Sequence, residues 1–328
     1  MSLRPNSTPV IEVNDLKKHF PIRKGLLRRL VGNVHAVDGV SFAIGEAETV
    51  ALVGESGCGK STVGRTLLRL IQPTSGSIVV NGTDITSLGK SAMRPYRREM
   101  QIVFQDPYAS LDPRMSIAQI IAEPLDIHAI GSKAERAAKV KELIALVGLD
   151  PSSAGRYPHE FSGGQRQRIG IARAIALEPK LVVLDEPVSA LDVSIQSQIL
   201  NLLDDLKTRL RLSYVFISHD LSVVQHVSDR VAVMYLGRIV EEGPADAVLG
   251  APKHPYTQAL ISAIPEIDPT QRKSHVLLQG DPPNPESIPP GCPFHPRCAI
   301  AQEICRTEVP TFRTAGPSRA RCHFVEEA

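Results

Sequence analysis

The segment Gly54-Glu-Ser-Gly-Cys-Gly-Lys60-Ser61-Thr62 carries the residue types that grip a polyphosphate. It fits G-x-x-x-x-G-K-[ST] and follows the apolar run Val50–Val53, which reads as a buried strand. Gly54, Gly57 and Gly59 allow backbone torsions that aim N–H groups inward at an anion. The helix expected from about Lys60 adds the positive end of its dipole. Lys60 is expected to reach the β- and γ-phosphates of a nucleoside triphosphate, and the Ser61 hydroxyl to bind Mg²⁺. Contacts to the nucleotide are expected along Gly54, Ser56, Gly57, Cys58, Gly59, Lys60, Ser61 and Thr62, although Cys58 fills a free position and needs no chemistry of its own. A plain glycine-rich turn is the competing account, and the flanking strand and helix argue against it.

A second candidate lies 125 residues beyond Lys60, where Leu181-Val-Val-Leu runs into Asp185 and Glu186. Carboxylates at the C-terminal ends of parallel strands face the ligand crevice. Asp185 suits the Mg²⁺ shell, and Glu186 suits polarisation of an attacking water. A third apolar run, Tyr214–Ile217, ends in His219, at the same crevice edge and near a γ-phosphate. A lone strand-end acid or histidine is ordinarily structural; the ordered set is what points to one site.

The cysteines raise different chemistry. Four of the five fall late, spaced Cys292-x₅-Cys298-x₆-Cys305-x₁₆-Cys322. Four thiolates hold Zn²⁺ or a [4Fe–4S] cluster, while plain buried thiols and disulfides remain alternatives. No tight C-x₂-C knuckle is present, so a zinc ribbon is not indicated.

Those groups need elements to position them. Short apolar runs at 50–53, 181–184, 214–217 and 231–236 read as strands, and 132–148 and 195–210 as helices. Alternation of the two argues for an α/β domain on a mostly parallel sheet. Residues 10–85 have short strand-like pieces that suggest an attached antiparallel part. Thirteen of the 26 prolines follow Ala251, marking a change of character in the last 77 residues. The chain has 328 residues, room for two domains or one with an appendage. Its net charge of +2 gives no global electrostatic case for nucleic acid. No apolar run approaches the about 18 residues of a membrane span, and the polar start, Met1–Asp15, has no secretory character, so a cytosolic location is expected. A basic stretch over 17–30 (Lys17, Lys18, Arg23, Lys24, Arg28, Arg29) reads as a solvated loop or a contact for lipid headgroups or an acidic partner.

Between the phosphate loop and the acids lies Phe161-Ser162-Gly163-Gly164-Gln165-Arg166, opening an apparent helix that ends before Pro179. With this ordered set, residues 10–250 resemble the ATP-binding cassette family. The resemblance implies a RecA-like P-loop NTPase core with an antiparallel β subdomain and a helical subdomain at about 106–177. It implies that Phe20 stacks on adenine and that Gln105, in Val-Phe-Gln-Asp, touches Mg²⁺ and water and senses a membrane partner. It also implies that Ser162, Gly163, Gly164 and Gln165 address the nucleotide of a partner subunit in a head-to-tail dimer. Glu186 becomes the hydrolytic carboxylate, Ser189-Ala-Leu-Asp192 the loop at the dimer interface, and His219 the γ-phosphate switch.

Leu16-Lys-Lys-His-Phe-Pro, Ala36-Val-Asp-Gly-Val-Ser-Phe, His254-Pro-Tyr-Thr-Gln-Ala-Leu and Gly291-Cys-Pro-Phe-His-Pro-Arg-Cys298 narrow the resemblance to the dipeptide/oligopeptide importer ATPases, most like the F-type subunit of dipeptide systems. These motifs are expected to lie far from the nucleotide. The resemblance implies ATP hydrolysis with Mg²⁺, and a [4Fe–4S] cluster on the four late cysteines with Zn²⁺ as the alternative. The implied partners are a second, different ATPase subunit, two integral permease subunits and an extracytoplasmic binding protein, at the cytoplasmic face of the membrane. Nickel or glutathione importers of the same type, and a soluble cassette ATPase of repair or translation, are the competing functions. A boundary is expected at about 250, with a Pro/Cys-rich extension over 251–328.

Overall fold

The computed structural model describes residues 9–25, 29–263 and 280–326. In chain order, strands β1 (Ile11–Lys24), β2 (Arg29–Ile44) and β3 (Thr49–Val53) precede helix α1 (Lys60–Leu67), followed by β4 (Ser75–Val80) and β5 (Thr83–Asp84). Next come α2 (Tyr96–Glu99), β6 (Met100–Val103), α3 (Ile117–Ile127), α4 (Lys133–Leu146), α5 (Gly163–Ile175), β7 (Leu181–Asp185), α6 (Val193–Leu210) and β8 (Ser213–Ser218). The rest is α7 (Leu221–Val227), β9 (Arg230–Tyr235), β10 (Arg238–Pro244), α8 (Ala245–Gly250), α9 (Pro255–Ser262), α10 (Glu303–Thr307), β11 (Phe312–Ala315) and β12 (Ser318–Arg321). The chain divides into two compact units: residues 1–10, 45–48 and 87–217 form the first, and 11–44, 49–86 and 218–328 the second.

In the first unit, β6, β7 and β8 are parallel, with Met100 opposite Leu181 and Val183 opposite Val215. All residues of β7 and β8 are buried. That explains why they read as unbroken apolar runs rather than as alternating patterns. Helices α3, α4 and α5 pack on one another. Each starts with a serine and a glutamine or glutamate three positions later: Ser116 with Gln119, Ser132 with Glu135, Ser162 with Gln165. The serine oxygen accepts the third helical N–H and the longer side chain accepts the serine N–H, satisfying two otherwise orphaned donors.

The second unit holds an antiparallel sheet in the order β2-β1-β4-β5. Here the sequence expectation needs correction. The strand pieces are not short: β1 has 14 residues and β2 has 16. The basic stretch is not a loop, since Lys17, Lys18, Arg23 and Lys24 lie on β1 and Arg29 on β2; Arg28 lies outside the described residues. Backbone pairing, interrupted by register shifts, carries the hairpin out beyond the apolar core. Charged side chains are compatible with such a wet ribbon and discourage further edge pairing. Elsewhere in this unit β3 and β9 are parallel, with Val50 opposite Arg230 and Val53 opposite Val233. Antiparallel pairing then continues from β9 to β10, β12 and β11. The last strands of the chain thus share a sheet with the strand that delivers the phosphate loop.

Candidate functional site

Every residue of β3 is buried, and the strand feeds directly into Gly54. Two glycines are fixed by close approach. Gly54 has φ 148°, and a Cβ there would meet the Met234 carbonyl oxygen at 2.2 Å; Gly59 has φ 106°, and its Cβ would meet the Ala36 oxygen at 2.0 Å. The Gly237 N–H donates to the Cys58 carbonyl at 2.9 Å, holding the middle of the loop. Lys60 is buried, and its ammonium donates to the carbonyls of Gly54 (2.7 Å) and Glu55 (3.0 Å). The cation is therefore solvated by the loop itself, next to where an anion would enter. Cys58 lies beneath, 3.8 Å from the Lys60 ammonium; burial pushes its thiol up, against the pull of Lys60. Ser56 and Gly57 are exposed, while Ser61 and Thr62 are half-buried at the start of α1.

His219 is exposed just beyond β8, and the Asp220 carboxylate after it accepts the Ser222 N–H at 2.9 Å, capping α7. His219 lines a cavity of about 480 Å³ with Gly54, Glu55, Ser222, Leu260 and Ala263. Within the second unit, the structure thus brings the histidine to the phosphate loop. Phe20 lies on β1 opposite Val34, exposed, with the Lys18 ammonium 4.8 Å from its ring centre.

The remaining candidates lie on the first unit. Asp185 is buried at the end of β7. Glu186 has φ 49°, a left-handed conformation costly for a non-glycine residue and concentrated at functional sites. It is held there by its N–H donating to the Ile217 carbonyl at 3.0 Å. The Gln105 amide donates to Glu186 Oε2 at 2.9 Å, so these two candidates meet. Ser162 is the N-cap of α5: the Ser162 N–H donates to Gln165 Oε1 at 3.0 Å, and the Gln165 N–H to Ser162 Oγ at 3.4 Å. Gly163 faces Leu191, and a Cβ on the buried Gly164 would lie 2.4 Å from Ile195 Cγ2. Gly164 is thus required for packing against α6 as well as for any role at the helix start.

Of the four motifs expected to lie far from the nucleotide, three instead reach the phosphate loop. The Ala36 oxygen packs on Gly59, as above. The Tyr256 hydroxyl accepts the Glu55 N–H at 2.9 Å, and Arg297 forms a two-point ion pair with the Glu55 carboxylate at 2.7 and 3.0 Å. The sequence offered one signal for this: an arginine inside a cysteine motif, with no acid within five residues of it in the chain. The neighbouring Asp38 accepts from Arg238 at 2.6 Å and from His19 at 3.1 Å. Burial alone would raise its carboxyl, but Arg238 and then His19 outweigh it and hold the group below the ordinary range. His19, His35 and Asp38 place metal-competent atoms within 4.8 Å of one another, yet Arg238 already neutralises the carboxylate.

The four late cysteines belong to the second unit, Cys305 and Cys322 buried, Cys292 and Cys298 half-buried. The Cys292 N–H donates to the Cys305 carbonyl at 2.8 Å, joining two of the segments. Burial pushes the Cys292 thiol up to about 11, and the charges of Cys305, Cys298 and Cys322 add to this. Among the described residues, no three of the four sulfurs lie within 4.8 Å of one another.

Residues 37–189 match the family described as ABC transporter, and residues 240–305 match the oligopeptide/dipeptide transporter C-terminal region. The oligopeptide transport ATP-binding protein AppF of Bacillus subtilis (strain 168) is 53% identical over 323 residues, covering 98% of this chain and 97% of that protein. The chain belongs to the ABC transporter ATPases. The di/tripeptide transport ATP-binding protein DppF of Pseudomonas aeruginosa (strain UCBPP-PA14) is 50% identical over 318 residues, 97% of this chain and 98% of that protein. Among solved structures, the ATP-binding cassette MJ0796, in a dimeric post-hydrolysis state with ADP and Pi, superposes with TM-score 0.64 at 27% identity, over 72% of this chain and 98% of that one. The cassette cbiO1 of Clostridium perfringens gives TM-score 0.65 at 26% identity, over 75% and 92%. The fold is therefore the ABC ATPase fold, with its RecA-like P-loop core. Among the described residues no helix is long and apolar enough to cross a membrane.

Proposed function

We propose that the chain is the ATP-hydrolysing subunit of a peptide importer, bound peripherally to the cytoplasmic face of the membrane. The observation that carries this is one chain joining a complete set of cassette motifs to a C-terminal region of the oligopeptide/dipeptide transporter type. Its working partners in this reading are two integral permease subunits, an extracytoplasmic binding protein and a second, different ATPase subunit. The nucleotide-binding domain spans about 1–250, with the helices near 106–177 receiving the permease and 251–328 as the extension.

In this assignment the N–H groups of Gly54–Thr62 and the Lys60 ammonium hold the triphosphate, and Phe20 stacks on the base. Ser61, Asp185 and Gln105 are hard oxygen donors of the kind that suit Mg²⁺, which when bound neutralises charge on the β- and γ-oxygens. Glu186 accepts a proton from the attacking water, His219 steadies the γ-phosphate, and Ser162–Gln165 address the partner subunit's nucleotide at a helix start. The test is uptake of labelled peptide into vesicles carrying the permease subunits, both ATPases and binding protein. Uptake should require ATP and vanish with Lys60→Ala; ATP hydrolysis indifferent to permease and peptide, with no uptake, would overturn the reading.

We further assign the four late cysteines to a [4Fe–4S] cluster. What supports this is the donor set: four thiols within the second unit, with Cys305, Cys298 and Cys322 all close enough to act on the Cys292 thiol. Protein purified without oxygen should contain about four iron and four sulfide per chain. Zinc without iron, or neither metal, would refute the assignment, and Cys58→Ser should leave the content unchanged.

A further inference from the structure

Glu55 occupies a free position of the phosphate-loop pattern, yet its polar groups are engaged on all sides. Its carbonyl accepts from the Lys60 ammonium at 3.0 Å, and its N–H donates to the Tyr256 hydroxyl at 2.9 Å. Its carboxylate takes both terminal nitrogens of Arg297, at 2.7 and 3.0 Å. Two of these three anchors come from beyond residue 250: Tyr256 from α9, and Arg297 from the turn His295–Arg297 between Cys292 and Cys298. The Arg297 side chain is only 5% exposed, against 26% for Glu55. Its surroundings are aromatic. Phe294 meets the Tyr235 ring edge-on at 5.3 Å and Tyr256 at 5.4 Å, and the guanidinium lies 5.9 Å from the Tyr235 ring centre. The same α9 contributes Leu260 to the cavity lined by Gly54, Glu55 and His219.

A carboxylate in a loop that receives a triphosphate opposes the ligand's charge. A two-point guanidinium contact cancels that charge and fixes the loop's direction at once. Arg297 is suited to this because its fork geometry matches a carboxylate and its charge persists at any working pH.

We propose that the C-terminal extension is a working part of the nucleotide site: Arg297 is a positioning residue that neutralises Glu55 and, with Tyr256, holds the phosphate loop ready for the triphosphate. This rests on the assignment of Gly54–Thr62 to ATP. The extension in this account does more than mark lineage or carry an inorganic centre.

The test is equilibrium binding of Mg·ATP and ADP to the purified full chain and to Arg297→Ala, Glu55→Gln/Arg297→Ala and Tyr256→Phe, with thermal melts in parallel. Arg297→Ala should weaken ATP binding about tenfold, the size of one lost charge interaction near a protein surface, and ADP binding less. The double variant should regain most of that affinity, because it removes the stranded acid. Tyr256→Phe keeps the aromatic packing and the melting temperature, and should weaken ATP about threefold by leaving the Glu55 N–H without its acceptor. Unchanged ATP affinity in Arg297→Ala and Tyr256→Phe would overturn the proposal. So would a loss equal for ATP and ADP that Glu55→Gln does not restore. Failure of the unaltered chain to bind ATP would instead overturn the assignment of the loop itself.

Discussion

The Gln105 amide donates to Glu186 Oε2 at 2.9 Å, joining residues 81 positions apart in sequence. The glutamine thus orients the carboxylate assigned to the water, in addition to any contact with Mg²⁺. Glu186→Gln removes the base and keeps the shape. It should bind ATP normally and lower turnover by about 10²–10⁴-fold, the usual share of general acid–base catalysis. Single-turnover hydrolysis alongside nucleotide binding checks this, and near-normal turnover would contradict it.

Gln105→Glu puts a second carboxylate against Glu186. Like charges at that distance repel, so the variant should be a poorer catalyst than one that merely lacks the amide. Steady-state ATP hydrolysis should fall further in Gln105→Glu than in Gln105→Ala, and equal rates would contradict the contact. Gln105→Ala should instead uncouple peptide uptake from hydrolysis more than it weakens nucleotide binding.

The parts of this site that were legible in sequence are those written locally. The phosphate loop, the Asp185 strand and the Ser162 helix start each combine an element signal with adjacent chemistry, so a short window suffices. The Arg297–Glu55 pair spans 242 positions, and neither residue belongs to a chemical pattern on its own. The long β1–β2 hairpin was illegible for another reason. Its outer part is held by backbone pairing across chemically mixed pairs, such as Phe20 with Val34, Ile22 with Gly32 and Lys24 with Arg29, and backbone hydrogen bonds leave no trace in hydropathy. The capping box at Ser162–Gln165 explains why a plain helix cap was a fair competing account: the cap is there, in the same atoms.

Gly164→Ala tests the tight contact with α6. The new methyl would sit 2.4 Å from Ile195 Cγ2 and force a shift. Overpacking of this kind costs about 1–3 kcal/mol. Denaturant unfolding should show that loss, and Ile195→Ala should recover part of it. Equal stability of Gly164→Ala and the parent would disprove the steric account.

His254 gives the fold an acid sensitivity. It is buried at the start of α9, where its Nδ1 accepts the Tyr256 N–H at 3.1 Å. Burial pulls its imidazole from 6.5 down to about 4. Between those values the unfolded chain holds a proton that the folded chain does not. Its contribution to stability is therefore complete above pH 6.5 and is lost as pH falls toward 4, by at most about 3 kcal/mol. Glu241, whose carboxylate accepts the Lys253 and His254 N–H groups, runs the other way. Burial raises its carboxyl above 4.5, so its contribution is present below 4.5 and declines as pH rises through the folded value. Unfolding at pH 5 and pH 7 should show a smaller difference in His254→Asn than in the parent; identical differences would rule out His254 as the source.

Cys58 should be chemically quiet despite its place in the loop. Its thiol is buried and pushed up, the state in which cysteines react poorly. Alkylation at pH 8 followed by peptide mass mapping should leave Cys58 unmodified in the folded chain and label it in guanidinium. Rapid labelling of the folded chain would refute this.

The sheet of the second unit has a consequence for the order in which the chain is made. β10 takes β9 on one side and β12 on the other, with Glu241 opposite Ala320 and Glu242 opposite Arg319. A nascent chain that has reached Gly250 has every residue of the phosphate loop, yet β10 still presents an open row of hydrogen-bonding groups. Open rows recruit other chains. Glu241 and Glu242 stand on that row, so two unfinished copies meeting edge to edge would set like charges against each other. When Ser318–Arg321 finally emerges from the ribosome, Arg319 pairs with Glu242, and the residues that had kept strangers away become the ones that receive the chain's own last strand.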